Sequence, residues 1–342
     1  MVSSRLTLGI SLALTAACAS TNDVVLGDAG DGTKGDGAKG GAGSVADSAG
    51  GAPDDTGVGV PNGGSDGATA ADDSGGNDGG AARPGDASAD ACATALFCES
   101  FESYTAGKAP GGPWKISTSL GAVAVATDQR FDGQNSAKFT TQAGSAFKTA
   151  HIQLDAASVF PVPGNMYFGR MMSRLESAPD QSVHWTFIEG DGLVPGQSYH
   201  ALYRYGGQQP VTADGGFVGS QLMANYDTPD SYGQPKVGPS SDCWNHAKGT
   251  VIPVGRWACV EWQFDGPNDT MRFWLDGVPV DSLTVVDKGQ GCVNQPATFP
   301  WTAPSFTSLE VGWESYQMDV ARTLYLDDIV IATERVGCPA PP

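Results

Sequence analysis

The stretch "GRWACVEWQFDGPNDTMRFWLDGVPVDSLTV", residues 255–285, decides the fold. Val260, Trp262 and Phe264 alternate with Glu261 and Gln263. After the turn residues "DGPND", Met271, Phe273 and Leu275 alternate with Arg272 and Trp274. Residues two apart share one face of a strand, so each half predicts a strand with one apolar face. Asp276-Gly277 then suits a two-residue hairpin turn, because both residues tolerate positive φ.

Moving outward, the same alternation predicts strands at 166–175, 183–188, 199–205, 221–226, 309–315 and 324–332, and no long amphipathic helix is legible. Many strands with irregular loops predict two packed antiparallel sheets: an all-β, single jelly-roll domain. The span 96–339 is ordinary in length for one such domain.

The N-terminus reads differently. One arginine precedes the apolar run 6–14, too short for a stable transmembrane helix. Thr15, Ala16 and Ala17 lead to Cys18, an arrangement similar to a bacterial lipobox, in which Cys18 would carry the lipid; a plain signal peptide is the alternative. From Ala19 to Asp90 the chain is dominated by Gly, Ala, Asp, Ser, Thr and Pro, with thirteen aspartates and no aromatic residue. Such a composition cannot bury enough apolar surface to offset the entropy of ordering. A flexible stretch of roughly 70 residues would reach about 45 Å end to end. The expected organisation is therefore a lipoprotein signal peptide at 1–17, a disordered stalk at 18–90 and the β domain at 91–342. The expected location is exported and membrane-anchored, at the cell surface or outer membrane, with full secretion as the alternative.

The formal charge is −19, shared about equally by stalk and domain. No basic patch is present, which argues against nucleic acid as a partner. Cysteines 92, 98, 243, 259, 292 and 338 make an even set of six, and an exported chain with that count predicts three disulfides. Cys92 or Cys98 with Cys338 would staple the domain ends, and Cys243 with Cys259 or Cys292 would pin a long loop. None has CxxC spacing, which argues against zinc. There is no GxSxG elbow, since the GGSDG match at 63–67 falls in the Gly/Ala/Asp-rich stretch, and the HExxH and P-loop patterns are missing.

"FESYTAGKAPGGPW" (101–114), "GQNSAKF" (133–139), "WACVEWQFDG…MRFWLDG" (257–277) and "LYLDDIVIAT" (324–333) together resemble a concanavalin-like jelly roll. The layout resembles the fungal cellulose-induced protein family, similar in fold to glucuronan lyases. That resemblance implies a structural calcium ion held by Glu102, by Asp132, Asn135 and Ser136, and by Asp327 or Asp328. The chemistry is consistent, since calcium takes six to eight oxygen ligands.

Strand alternation also sorts a polar set. His184 and Thr186 share a side, with Ile188; His200, Leu202 and Arg204 share another, with Gln208 following in "HALYRYGGQ" (200–208). Arg170 falls with Phe168, Met172 and Arg174; Asn225 and Tyr226 point opposite ways; "VGWESYQ" (311–317) adds Trp313, Glu314 and Tyr316. Side by side, such strands would gather His184, Arg204 and Tyr226 as catalytic groups, with Gln208, Arg170, Asn225 and Trp313 binding substrate. Arg204 and Gln208 match an arginine–glutamine pair of the fungal family. Tyr199, Tyr203 and Tyr205 read as sheet packing, and His246 as a loop residue. Glu261 with Glu314 is the one carboxylate pair that would suit hydrolysis.

Arginine can hold a uronate carboxylate by a bidentate fork, and His or Tyr can move the C5 proton. The expected function is thus a surface-tethered, polysaccharide-active protein, a polyuronate lyase acting by β-elimination. A non-catalytic carbohydrate-binding module and a surface interaction protein are the alternatives. The net negative charge opposes an anionic substrate unless the groove itself is positive.

Overall fold

The computed structural model describes residues 91–228 and 238–339. Cys18, the signal segment and the stalk lie outside the described residues. Among those described, no helix is long and apolar enough to cross a membrane.

In chain order the strands are β1 (Phe97–Glu99), β2 (Trp114–Ser119), β3 (Gly121–Ala126), β4 (Ser136–Thr141), β5 (Lys148–Leu154), β6 (Met166–Leu175), β7 (Trp185–Leu193), β8 (His200–Ala213) and β9 (Gly216–Thr228). There follow β10 (Ser241–Val251), β11 (Ala258–Asp265), β12 (Thr270–Leu275), β13 (Val278–Pro279), β14 (Val285–Val286), β15 (Gly291–Val293), β16 (Ser305–Ser315) and β17 (Arg322–Ala332). They form two antiparallel sheets. One runs β13-β12-β11-β6-β17-β4-β3, with β1 added on β17 and β14 on β12; the other runs β15-β10-β9-β8-β7-β16-β5-β2.

The quoted segment builds β11 and β12, and Asp276 (φ 50°) and Gly277 (φ 80°) make the turn after them. Val260, Trp262, Phe264, Met271 and Phe273 are buried between the sheets. Gly169 of β6 has no freedom to be anything larger, since a Cβ there would lie 2.0 Å from the Trp262 ring. From the second sheet, Trp185 stacks on Trp313 with ring centroids 4.8 Å apart, and Tyr205 stacks on Phe264 across the core at 5.7 Å.

Three expectations need correcting. Strict alternation put Ile188 beside His184 and Thr186, but the β7–β8 register shifts between Thr186 and Ile188. That bulge turns Ile188 into the core and brings Glu189 to the outer face, opposite Arg204. The segment read as a long loop containing His246 is strand β10, in which Cys243, Asn245 and Ala247 are more buried than Asp242, Trp244 and His246. The disulfides are Cys92–Cys98, Cys243–Cys292 and Cys259–Cys338. The middle one is among the expected pairings. Cys338, however, is stapled to β11 rather than to the N-terminal cysteines, which close a short loop with each other.

Candidate functional site on the eight-stranded sheet

Cross-strand register fixes which side chains share the outer face of the second sheet. Arg204 pairs with Glu189 on one side and Asn225 on the other; Glu189 in turn pairs with Glu310, and Thr186 with Glu314. Asn225 pairs with Trp244, and Gly312 with His151. The strands therefore carry a continuous polar row across the middle of the sheet.

Arg204 is its centre. The guanidinium donates from Nε to Glu189 and from Nη1 to Asp227 Oδ2 at 2.8 Å, and it lies 6.0 Å from the centroid of the Tyr316 ring. Burial drives both carboxyl groups upward despite this cation, Glu189 to about 7 and Asp227 to about 6. His184 packs against Tyr316 with ring centroids 4.7 Å apart and the planes tilted by 35°. Its backbone is pinned to the same segment: its N–H donates to Gln317 Oε1 at 2.6 Å and its carbonyl accepts from Tyr316 N at 3.1 Å. Burial, with Arg204 and His246 adding to it against Asp242, pushes His184 down to about 4. The imidazole is thus neutral at pH 7, and its Nε2 is buried without a hydrogen-bond partner. Tyr316 moves the other way. Burial first, then Glu314 and Glu189, raise it well above the usual phenol range against the pull of Arg204, and its hydroxyl donates to Glu314 Oε2 at 2.6 Å.

Asn225 completes the row. Its Nδ2 donates to Asp242 Oδ1 and to the Cys243 carbonyl, both at 2.7 Å, leaving Oδ1 buried without a donor. Gln208 lies four residues beyond Arg204 on the same strand, half-buried, with its carbonyl accepting from Val183 N at 3.2 Å. Farther along, His151 Nδ1 lies 3.2 Å from Glu310 Oε2.

The expected convergence is therefore partial. His184, Arg204 and Asn225 come together, but Tyr226 and Trp313 do not join them. Tyr226 points into the core, stacked on Trp301 at 5.8 Å with its hydroxyl donating to the Thr302 carbonyl at 3.0 Å. Trp313 is fully buried behind the sheet, where an indole face gains most from packing on Trp185. Arg170 belongs to β6 of the other sheet, opposite Glu261. Glu261 and Glu314 lie on different sheets and form no catalytic pair. The tyrosine beside His184 is Tyr316. Glu189 escaped the sequence reading because a bulge hides it. Asp227 was legible, two residues on from Asn225 and so on the same face.

The residues implied for calcium meet elsewhere. Glu102, Asp132, Asp327 and Asp328 line a cavity of about 300 Å³ together with Arg170. Glu102 Oε1 accepts from the Gln134 and Asn135 amides at 2.8 Å each. Asp327 accepts from the Phe131 amide at 2.9 Å and the Asp328 amide at 2.9 Å. Burial and the neighbouring Asp328 push Asp327 up to about 8. Two acids in one buried corner are a fair fit for a hard cation that takes carboxylate and carbonyl oxygens. Asn135 and Ser136 stand behind this lining: Asn135 Nδ2 donates to the Phe101 and Tyr104 carbonyls, and Ser136 Oγ to the Gln129 carbonyl. Among the described residues, the group of three potential ligands that closes within 4.8 Å is Cys259, Glu261 and Cys338, and both cysteines are committed to a disulfide.

Among curated proteins none matches the chain. The solved structure described as cellulose induced protein Cip1 is 26% identical, with 71% of this chain and 99% of that chain covered and a TM-score of 0.48. An endo-β-1,4-glucuronan lyase from the fungus Trichoderma reesei is 14% identical, with coverages of 70% and 96% and a TM-score of 0.47. The family described as polysaccharide lyase-like, Cip1-like core domain, matches residues 113–334, well over half of the chain. The chain belongs to this Cip1-like family of polysaccharide lyase-like domains.

Proposed function

We propose that the outer face of the eight-stranded sheet cleaves a uronate-containing polysaccharide by β-elimination. The observation that carries this reading is the His184–Tyr316 pair beside Arg204, a proton acceptor and a proton donor with ring centroids 4.7 Å apart. Neutral His184 takes the C5 proton. Tyr316, which keeps its own proton at neutral pH, delivers one to the departing glycosidic oxygen, and the proton His184 has taken from C5 restores it through solvent, so that both groups end as they began. Electrons from the broken C5–H bond form the C4–C5 double bond as the C4–O bond breaks, so no water is consumed. Arg204 stabilises the uronate carboxylate as charge builds on it. The test is the ultraviolet absorbance of the unsaturated product on a panel of polyuronates, with His184→Ala as the control; no rise on any polyuronate overturns the reading.

One observation favours a second reading. Glu189 and Asp227 already occupy the Arg204 fork. A face in that state would hold a glycan through the half-buried Gln208 and Trp244 without cutting it. Calorimetric binding with no product formation would establish this.

In the cavity by Glu102, Asp327 and Asp328 we place a structural calcium ion, which would neutralise the acids and tie β17 to the 131–136 loop. Cys18 and the 18–90 stalk would hold the domain at a membrane surface. Mass spectrometry of the N-terminal peptide for a lipid on Cys18 tests that tether.

A further inference from the structure

On the outer face of the other sheet lies a second cavity, of about 570 Å³, lined by Phe131, Met172, Arg174, Arg256, Trp257 and Asp276 among others. Its volume is that of a small-molecule site, and its lining has the composition of one: apolar and aromatic walls with a few placed polar groups. Phe131 and Trp257 meet edge to face at 6.2 Å, so the half-buried indole is held in place without help from a ligand. Met172 is buried beneath, and the Cys259–Cys338 disulfide closes one side.

Both arginines are fixed by protein contacts that leave donors over. Arg174 donates from Nε to Glu176 Oε1 and from Nη1 to the Gly255 carbonyl, each at 2.7 Å. Arg256 donates from Nη1 to the Trp257 carbonyl at 3.0 Å and from Nη2 to Asp276 Oδ2 at 2.6 Å. Arg174 Nη2 and Arg256 Nε remain for a ligand. Each guanidinium has one carboxylate partner, Glu176 for Arg174 and Asp276 for Arg256. This contrasts with Arg204, whose partners are two carboxylates.

We propose that this cavity is a second saccharide site that anchors one or two acidic sugar residues, the guanidinium groups taking a uronate carboxylate while the Trp257 face packs on the apolar side of the pyranose ring. A pyranose presents C–H groups on one face and hydroxyls at its rim, which is what an aromatic wall with a polar edge receives. The site lies on the sheet opposite His184 and takes no part in the elimination, so it holds polymer near the domain and raises its effective concentration. The inference rests on the proposed function only in taking the glycan to carry uronate.

The experiment is isothermal titration calorimetry of the full chain with a glucuronic acid hexamer and with cellohexaose, on the parent protein, Trp257→Ala, Arg256→Gln and His184→Ala. Two hexauronate sites should appear in His184→Ala, which leaves the hexamer uncut, and the Trp257 and Arg256 changes are titrated in that background as well as alone. Trp257→Ala and Arg256→Gln should each abolish or weaken one of them at least tenfold while product formation on short oligomers stays unchanged, and cellohexaose should bind this site at least tenfold more weakly. His184→Ala should keep the Trp257-dependent site whether or not the protein proves to be a lyase, so the two proposals fail separately. Arg256 is more than half exposed, so Arg256→Gln tests the site even if Trp257→Ala does not fold. Hexauronate titrations unchanged in both variants, or equal binding of cellohexaose, would overturn the proposal.

Discussion

Glu189 stands directly across the β7–β8 ladder from Arg204, and it reaches that position through the bulge between Thr186 and Ile188. The buried acid, held up to about 7, is a competitor for the guanidinium that a uronate needs. Asp227 competes in the same way and titrates near 6. Protonating the two acids releases the fork. Uronate affinity should therefore rise as pH falls from 8 toward 5. Below about 4, His184 becomes protonated and the base is lost. A kcat/KM profile on hexauronate should be a bell whose basic limb lies between about 6 and 7 and whose acidic limb lies near 4; a profile rising through pH 8 would contradict the assignment.

Glu189→Gln removes one of those competitors without changing shape. Its carboxamide can still accept from Arg204, so the fold should survive. We expect KM for hexauronate at pH 8 to fall about three- to tenfold, about 1 kcal/mol of relieved competition, and the basic limb to shift toward that of Asp227 alone. Steady-state kinetics at pH 6 and pH 8 check this, because the variant should matter less at the lower pH.

The ring pair itself makes the sharpest catalytic claim. His184→Ala and Tyr316→Phe should each lower kcat by about 10²- to 10⁴-fold, the usual weight of a positioned proton-transfer group. Tyr316→Phe keeps the ring that packs on His184 and on Phe147, at 5.5 Å, so it removes the proton and little else. Glycan affinity measured by calorimetry should change far less than kcat in both variants.

The fold was largely legible because period-two alternation with turn residues has few other solutions, and 255–285 shows both. The candidate site was legible only where alternation holds. Arg204 and Asn225 follow from counting along regular strands. Glu189 does not, since an inserted residue flips every side chain after it. Trp313 and Tyr226 were assigned to the wrong face because aromatic side chains suit a core as well as a sugar, and a single strand does not say which of its faces is inside. β10 was missed since its hydrophobic half is Cys243, Asn245 and Ala247, too polar and small to read as a core edge.

Placing Trp313 in the core changes what its removal should do. Trp313→Ala deletes a fully buried indole stacked on Trp185 and should cost about 3–5 kcal/mol of stability, by lost contacts and the cavity left behind. Chemical denaturation measures this. The folded fraction should bind glycan with unchanged affinity; a selective loss of binding with normal stability would return Trp313 to the site.

Asp327 gives a stability prediction whose sign follows from its environment. Its folded-state value, about 8, lies well above the ordinary value near 4, so between those limits the folded chain holds a proton that the unfolded chain has released. Stability contributed by this group is present at low pH and is lost as pH rises through 8. In chelator, the melting temperature of the domain should accordingly fall between pH 5 and pH 8 by more in the parent than in Asp327→Asn. Calcium replaces the proton as the neutralising charge, so added calcium should raise the melting temperature more at pH 8 than at pH 5. At a hundredfold excess over its dissociation constant the ion is worth about 2.7 kcal/mol, or about 5–10 °C for a domain of this size. Magnesium, which holds its water more tightly and demands stricter geometry, should do much less. A calcium response that is absent at every pH, or that is largest at pH 5, would mean that Arg170 is the sole cation this cavity was built around.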